Sequence, residues 1–85
     1  MATPFNIPLT HVWLAIASGP GQAAFCPIDA EAEWTVGSNG QTPAQDIRGL
    51  PAPRRESQFT RLEDGETVFL RGRGILAGTA TSLVE

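Results

Sequence analysis

The sequence predicts an all-β domain: a small antiparallel β-sandwich or β-barrel with an extended N-terminal arm and one long loop. Three observations carry this. Apolar residues alternate with polar ones at a period of two, most cleanly in Ala32, Trp34 and Val36 against Glu31, Glu33 and Thr35. Gly- and Pro-containing turns separate short runs of strand-forming residues. The stretch Glu66–Glu85 holds two such runs on either side of Gly72-Arg73-Gly74. At 85 residues the chain is one domain, divided into an arm over 1–9 and a β body over 10–85.

Pro4 and Pro8 keep the arm extended, and Phe5, Ile7 and Leu9 alternate along it. Its apolar edge either covers the domain's own core or reaches a neighbouring subunit or partner. Thr10–Ala17 reads as a strand with Val12, Leu14 and Ile16 on one face and His11, Trp13, Ala15 and Ala17 on the other, so both faces are covered. Ser18–Gly21 is a turn, and Gln22–Cys26 pairs back as the second arm of a hairpin. Pro27–Asp29 turns again. Glu31–Val36 follows as a strand; Asp29 capping a short helix over Ala30–Trp34 is the alternative, and the period of two favours the strand. Gly37–Gly40 ends it.

Gln41–Arg55 is the long loop. Thr42-Pro43-Ala44-Gln45 has capping-box spacing and Gly49 stands where a short helical turn would stop. Ile47 and Leu50 are expected to pin the loop to the body. Arg54 and Arg55 are candidates for meeting an acidic surface. Asp64-Gly65 is a strong turn signal, so Glu56–Leu62 is expected to fold antiparallel onto Glu66–Arg71. Gly72 and Gly74 bend the chain. Ile75–Val84 then places Leu76, Gly78, Ala80, Ser82 and Val84 on one face, and Ile75, Ala77, Thr79, Thr81 and Leu83 on the other. Its small residues imply close approach of another backbone, within the subunit or at a subunit axis. Six strands result.

The formal charge of -3 argues against a nucleic-acid binder that relies on a positive field. All six basic residues are arginine; arginine favours paired, planar contacts, but a GC-rich genome gives the same bias and is the preferred explanation. A single cysteine, Cys26, forms no internal disulfide and no Cys-rich zinc site. Val12–Ala17 is too short to span a bilayer and lacks the basic residues that precede a signal core. His11 is the only histidine and reads as structural. Asp29, Glu31 and Glu33 form an acidic cluster without the glycine turn of an EF-hand loop. No catalytic constellation, cofactor site or metal site can be assembled. Trp13, Trp34, Phe59 and Phe69 are expected in the core, with a stacking platform as the alternative.

Several segments together carry a resemblance: Trp34-Thr35-Val36-Gly37, Pro43-Ala44-Gln45-Asp46 with Gly49, Gly65-Glu66-Thr67-Val68-Phe69-Leu70-Arg71, and Ala77–Val84. The pattern resembles small virion proteins of tailed bacteriophages, of the capsid decoration (cement) or head-accessory type. The resemblance covers most of the chain beyond the arm. It implies a non-enzymatic homotrimer on the capsid surface, assembled in the host cytoplasm and bound to the major capsid protein, with no nucleic acid or membrane involved. Phe5, Ile7, Leu9, Arg54 and Arg55 are the candidate partner contacts. The alternative is a head-fibre or tail module that binds a host receptor or glycan, with Trp13 or Trp34 as the stacking residue.

Overall fold

A computed structural model of the chain describes residues 3–38 and 41–81. Eight strands are present among them: β1 (Thr3–Pro8), β2 (Leu14–Ser18), β3 (Gly21–Pro27), β4 (Ala32–Ser38), β5 (Leu50–Ala52), β6 (Gln58–Leu62), β7 (Glu66–Gly72) and β8 (Ile75–Ala80). They form two four-stranded antiparallel sheets, ordered β1-β8-β3-β6 and β2-β7-β4-β5. The predicted all-β sandwich is the fold observed.

The core lies between the sheets. Ile16, Phe25, Leu62, Val68, Leu70 and Leu76 are fully buried there, with Phe5, Leu9 and Ala52 beside them. The inward alternation of β4 is as expected: Ala32 is buried, Trp34 and Val36 pack against the core, and Trp34 meets Phe25 edge-on with ring centroids 5.5 Å apart. Leu76 and Ala80 of β8 face inward while Ile75 and Thr79 face out. Ser82 and Val84, placed on the inward face by the alternation, and Leu83, placed on the outward one, lie outside the described residues, as do Asn39 and Gly40 of the expected turn. The close approach expected around Gly78 occurs inside the subunit. A Cβ there would collide with the Ala24 carbonyl oxygen and come within 2.8 Å of Phe5 and 2.9 Å of the Phe25 Cα.

The N-terminal segment takes the first of its two expected roles: Thr3–Pro8 is extended, pairs with β8 and turns Phe5 into the domain's own core. Other expectations are corrected. The first body strand begins at Leu14 rather than Thr10: the chain bends at His11 and Val12, after the Thr10 carbonyl has accepted from Gly72 N–H. β2 and β3 form no hairpin. β2 pairs with β7 and β3 with β8 and β6, so the Ser18–Gly21 turn, with its cis Gly19–Pro20 peptide, carries the chain from one sheet to the other. The Asp64-Gly65 turn forms, but β6 and β7 also lie in different sheets. In each case both flanking strands find a better apolar face across the sandwich than beside each other, and tertiary burial overrides the local turn signal. The long loop carries one hydrogen-bonded turn, Ile47 N–H to the Ala44 carbonyl at 3.1 Å, where a short helical turn was expected, and then β5, which completes the edge beside β4. Ile47 and Leu50 are exposed and do not pin it.

The direction of the backbone groups on each edge follows from three bonds. In an antiparallel ladder, residues alternate between bonding one neighbour and the other. Thr81 N–H donates to Gln22 C=O and Ile28 N–H to Ile75 C=O, so the even-numbered residues of β3 bond β8 and the odd-numbered ones bond β6. Gln58, Thr60 and Leu62 therefore bond β3, and the backbone groups of Phe59 and Arg61 point to the free edge. Likewise Leu9 N–H donates to Gly74 C=O, which turns Pro4, Asn6 and Pro8 to the free edge of β1.

Candidate functional site

Two outer surfaces flank the core, and they carry what functional character the molecule has. On the second sheet, β7 sends Val68 and Leu70 into the core and Phe69 and Arg71 to the outside. Phe69 is nonetheless buried, as is Trp13 at 5% exposure, because residues 41–49 lie across this face. Arg71 holds them there. Its Nη1 donates to the Gln45 carbonyl at 2.8 Å and its Nη2 to the Ile47 carbonyl at 2.9 Å. Its Nε donates to the Glu33 carboxylate at 2.9 Å, and its guanidinium carbon sits 4.3 Å from the centre of the Trp13 ring. Trp13 Nε1 donates to the Ala44 carbonyl at 3.2 Å, so ring and cation fasten the same segment. Gly49 is required for the closure: a Cβ there would stand 2.7 Å from the Trp34 carbonyl oxygen and 2.9 Å from the Trp13 ring.

Arg71 is the donor set that an arginine fork satisfies and a lysine does not. Its hydrogen bond is the main cause holding Glu33 below the ordinary carboxylate value. The charges of Arg71 and Arg48 and the Gly49 N–H act the same way, against a desolvation that opposes them.

Beside this hub a shallow, open groove of about 890 Å³ runs between the start of β4 and the end of β7, lined by His11, Glu31, Glu33, Arg48, Arg71 and Arg73 among others. Its chemistry is largely internal. Glu33 is taken by Arg71, with Arg48 3.8 Å away and extended into solvent. Asp29 accepts from Ile75 N–H at 3.0 Å and so holds the turn between β7 and β8. Two of the three acids seen in the sequence, Glu33 and Asp29, thus have structural tasks. Among the described residues no group of three histidine, cysteine or acidic side chains is placed to hold a metal ion.

The first sheet's outer face is different. The register aligns Pro4, Thr79, Ala24 and Phe59 in one row across β1, β8, β3 and β6, with Asn6, Ala77 and Cys26 in the next. Every one of these residues is exposed or half-exposed. Phe59 is 63% exposed and Ile75 is also open to solvent. The surface is flat, small-residued and largely uncharged.

The five candidate contact residues are not gathered together. Phe5 and Leu9 point into the core and Ile7 packs against it, so that side of β1 offers no surface. Arg54 and Arg55 are exposed in the turn before β6, at the far side of the same sheet, where Arg55 takes φ 63° and donates its N–H to the Pro27 carbonyl. Trp13 is sealed under the loop and Trp34 is turned towards the core, so neither is an open stacking platform. Sequence reasoning missed the Arg71 hub. The available signal was Arg71 continuing the outward alternation after Phe69. Comparison with protein-family models, with curated proteins and with solved structures finds no match for the chain.

Proposed function

We propose that the chain is a structural virion protein of the capsid decoration type, which docks on the outer surface of the major capsid protein and stabilises the phage head. The resemblance of the sequence to such proteins supplies the partner and the virion location. The observation that carries the docking role is the bare outer face of the first sheet, with Ala24, Cys26, Ala77 and Thr79 forming a flat surface rimmed by Phe59 and Ile75. Apolar surface left uncovered in a domain this small marks a contact site. Many copies, each with a modest interface, would then clamp neighbouring capsomers. No comparable observation favours the glycan-binding alternative, since the tryptophans it needs are covered.

Co-sedimentation with empty capsid shells tests the reading. The chain should pellet with shells and raise their melting temperature. Thr79→Arg, which puts a long charged side chain on the flat face without touching the core, should abolish both effects and leave the free protein's own melting unchanged. Phe5→Ser is unsuitable for this purpose because Phe5 is a core residue. A chain that ignores shells, or a Thr79→Arg variant that pellets like wild type, would overturn the proposal.

A further inference from the structure

The four free edges of the two sheets are finished differently. β1 turns Pro4 and Pro8, which have no N–H, to its free side. β5 is three residues long and contains Pro51. β2 carries a register shift between Ala15 and Ala17. These are the devices by which sheets avoid pairing with another chain. β6 has none of them. It is five residues long, free of proline, regular in register, and turns the backbone groups of Phe59 and Arg61 outward. Among the described residues no strand pairs with that side.

We propose that β6 pairs antiparallel with β6 of a second copy about a two-fold axis at Phe59, joining two four-stranded sheets into one of eight. Charge favours a second copy over another chain. Arg54 and Arg55 precede β6, and Glu63 and Asp64 follow it. Antiparallel pairing centred on Phe59 lays the basic end of each strand beside the acidic end of the other, twice. Glu56 and Arg61 reduce this contrast without reversing it. The same register sets Phe59 opposite Phe59 of the second copy in a hydrogen-bonded pair, with Cα atoms about 5.5 Å apart. The two most exposed large apolar side chains then cover each other, as cross-strand aromatic pairs do. Ser57 falls opposite Arg61 of the second copy, so the outward groups of both strands match. The contact makes dimers in place of the trimer implied by the resemblance, and it does not rest on the virion reading.

The test is the mass of the full chain in solution by sedimentation equilibrium. Wild type should weigh twice the 9.0 kDa chain. Phe59→Pro removes an N–H that serves no bond to β3, and should give monomer with unchanged tryptophan fluorescence. A charge exchange guards against a folding failure in that variant. R54E/R55E alone and E63R/D64R alone should each lose the dimer, since like charges then face each other. An equimolar mixture of the two should restore it, because every end is again complementary. A wild-type monomer or trimer, or a mixture that stays monomeric, would overturn the proposal.

Discussion

On the second sheet, Phe69 and Arg71 face outward and vanish beneath residues 41–49; on the first, the row Pro4, Thr79, Ala24 and Phe59 stays in solvent. Each sheet has four strands, and the two share one core. The difference lies in what each face offers a covering segment. Arg71 presents a fork of donors in a half-dry setting, matched to two loop carbonyls and a carboxylate, with an aromatic ring stacked against it. Charge-assisted bonds of this kind hold an irregular backbone in place. The first sheet's face has no such anchor. Its residues are small and flat, which suits a contact with another molecule and not with a loop.

The sharpest way to break the contrast is to remove the anchor. Arg71→Ala should destabilise the fold by ~2 kcal/mol in urea unfolding, because it removes the bonds that hold the loop over Trp13 and Phe69. It should also increase binding of an apolar dye, since Trp13 and Phe69 become accessible and the second face comes to resemble the first. Arg71→Lys should recover only part of the loss, as a single ammonium cannot make the forked contacts. The opposite perturbation is made at the first sheet's centre. Gly78→Ala places a methyl group against the Ala24 carbonyl and Phe5, and should cost about 2 kcal/mol by overpacking. Dye binding should not rise in that variant, because no cover exists to be lost.

Acid sharpens the comparison more gently. Glu33 has a folded-state pKa held below its ordinary value of 4.5. The unfolded chain therefore binds its proton first as pH falls, and the stability that Glu33 contributes is fully present above 4.5 and lost as pH drops through the folded value. Glu33→Gln should flatten that part of the stability-versus-pH curve measured by urea unfolding. The smallest effect belongs to Trp34. Its Nε1 is buried without a hydrogen-bond partner among the described residues. Trp34→Phe loses ring volume but also removes an unsatisfied donor, and the two should offset to within ~1 kcal/mol in the same unfolding assay.

The sandwich core is legible in the sequence where one side of a strand is apolar. Ala32, Trp34 and Val36 of β4, and Leu76 and Ala80 of β8, announce their inward faces by alternation alone. Pairing was not legible. Ser18–Gly21 and Asp64-Gly65 are good turns in isolation, but a turn specifies a change of direction and not the sheet that receives the next strand. Arg71 was opaque for a related reason. Its partners Glu33, Gln45, Ile47 and Trp13 come from three other segments, and only the folded chain brings them to one guanidinium. The bare outer face of the first sheet was hidden because its centre consists of alanine, threonine and cysteine, which carry no motif. The edge of β6 needed the register before its outward groups could be told from its inward ones.

One thiol reports directly on whether the bare face is the working one. Cys26 is the chain's only cysteine and lies half-exposed in the middle of the first sheet's outer surface. Its alkylation rate can be followed by mass spectrometry for the free protein and for protein pelleted with empty capsid shells. The thiol should react in the free chain and be strongly protected on the shell. An unchanged rate in protein that does bind shells would contradict this and move the contact to the second sheet.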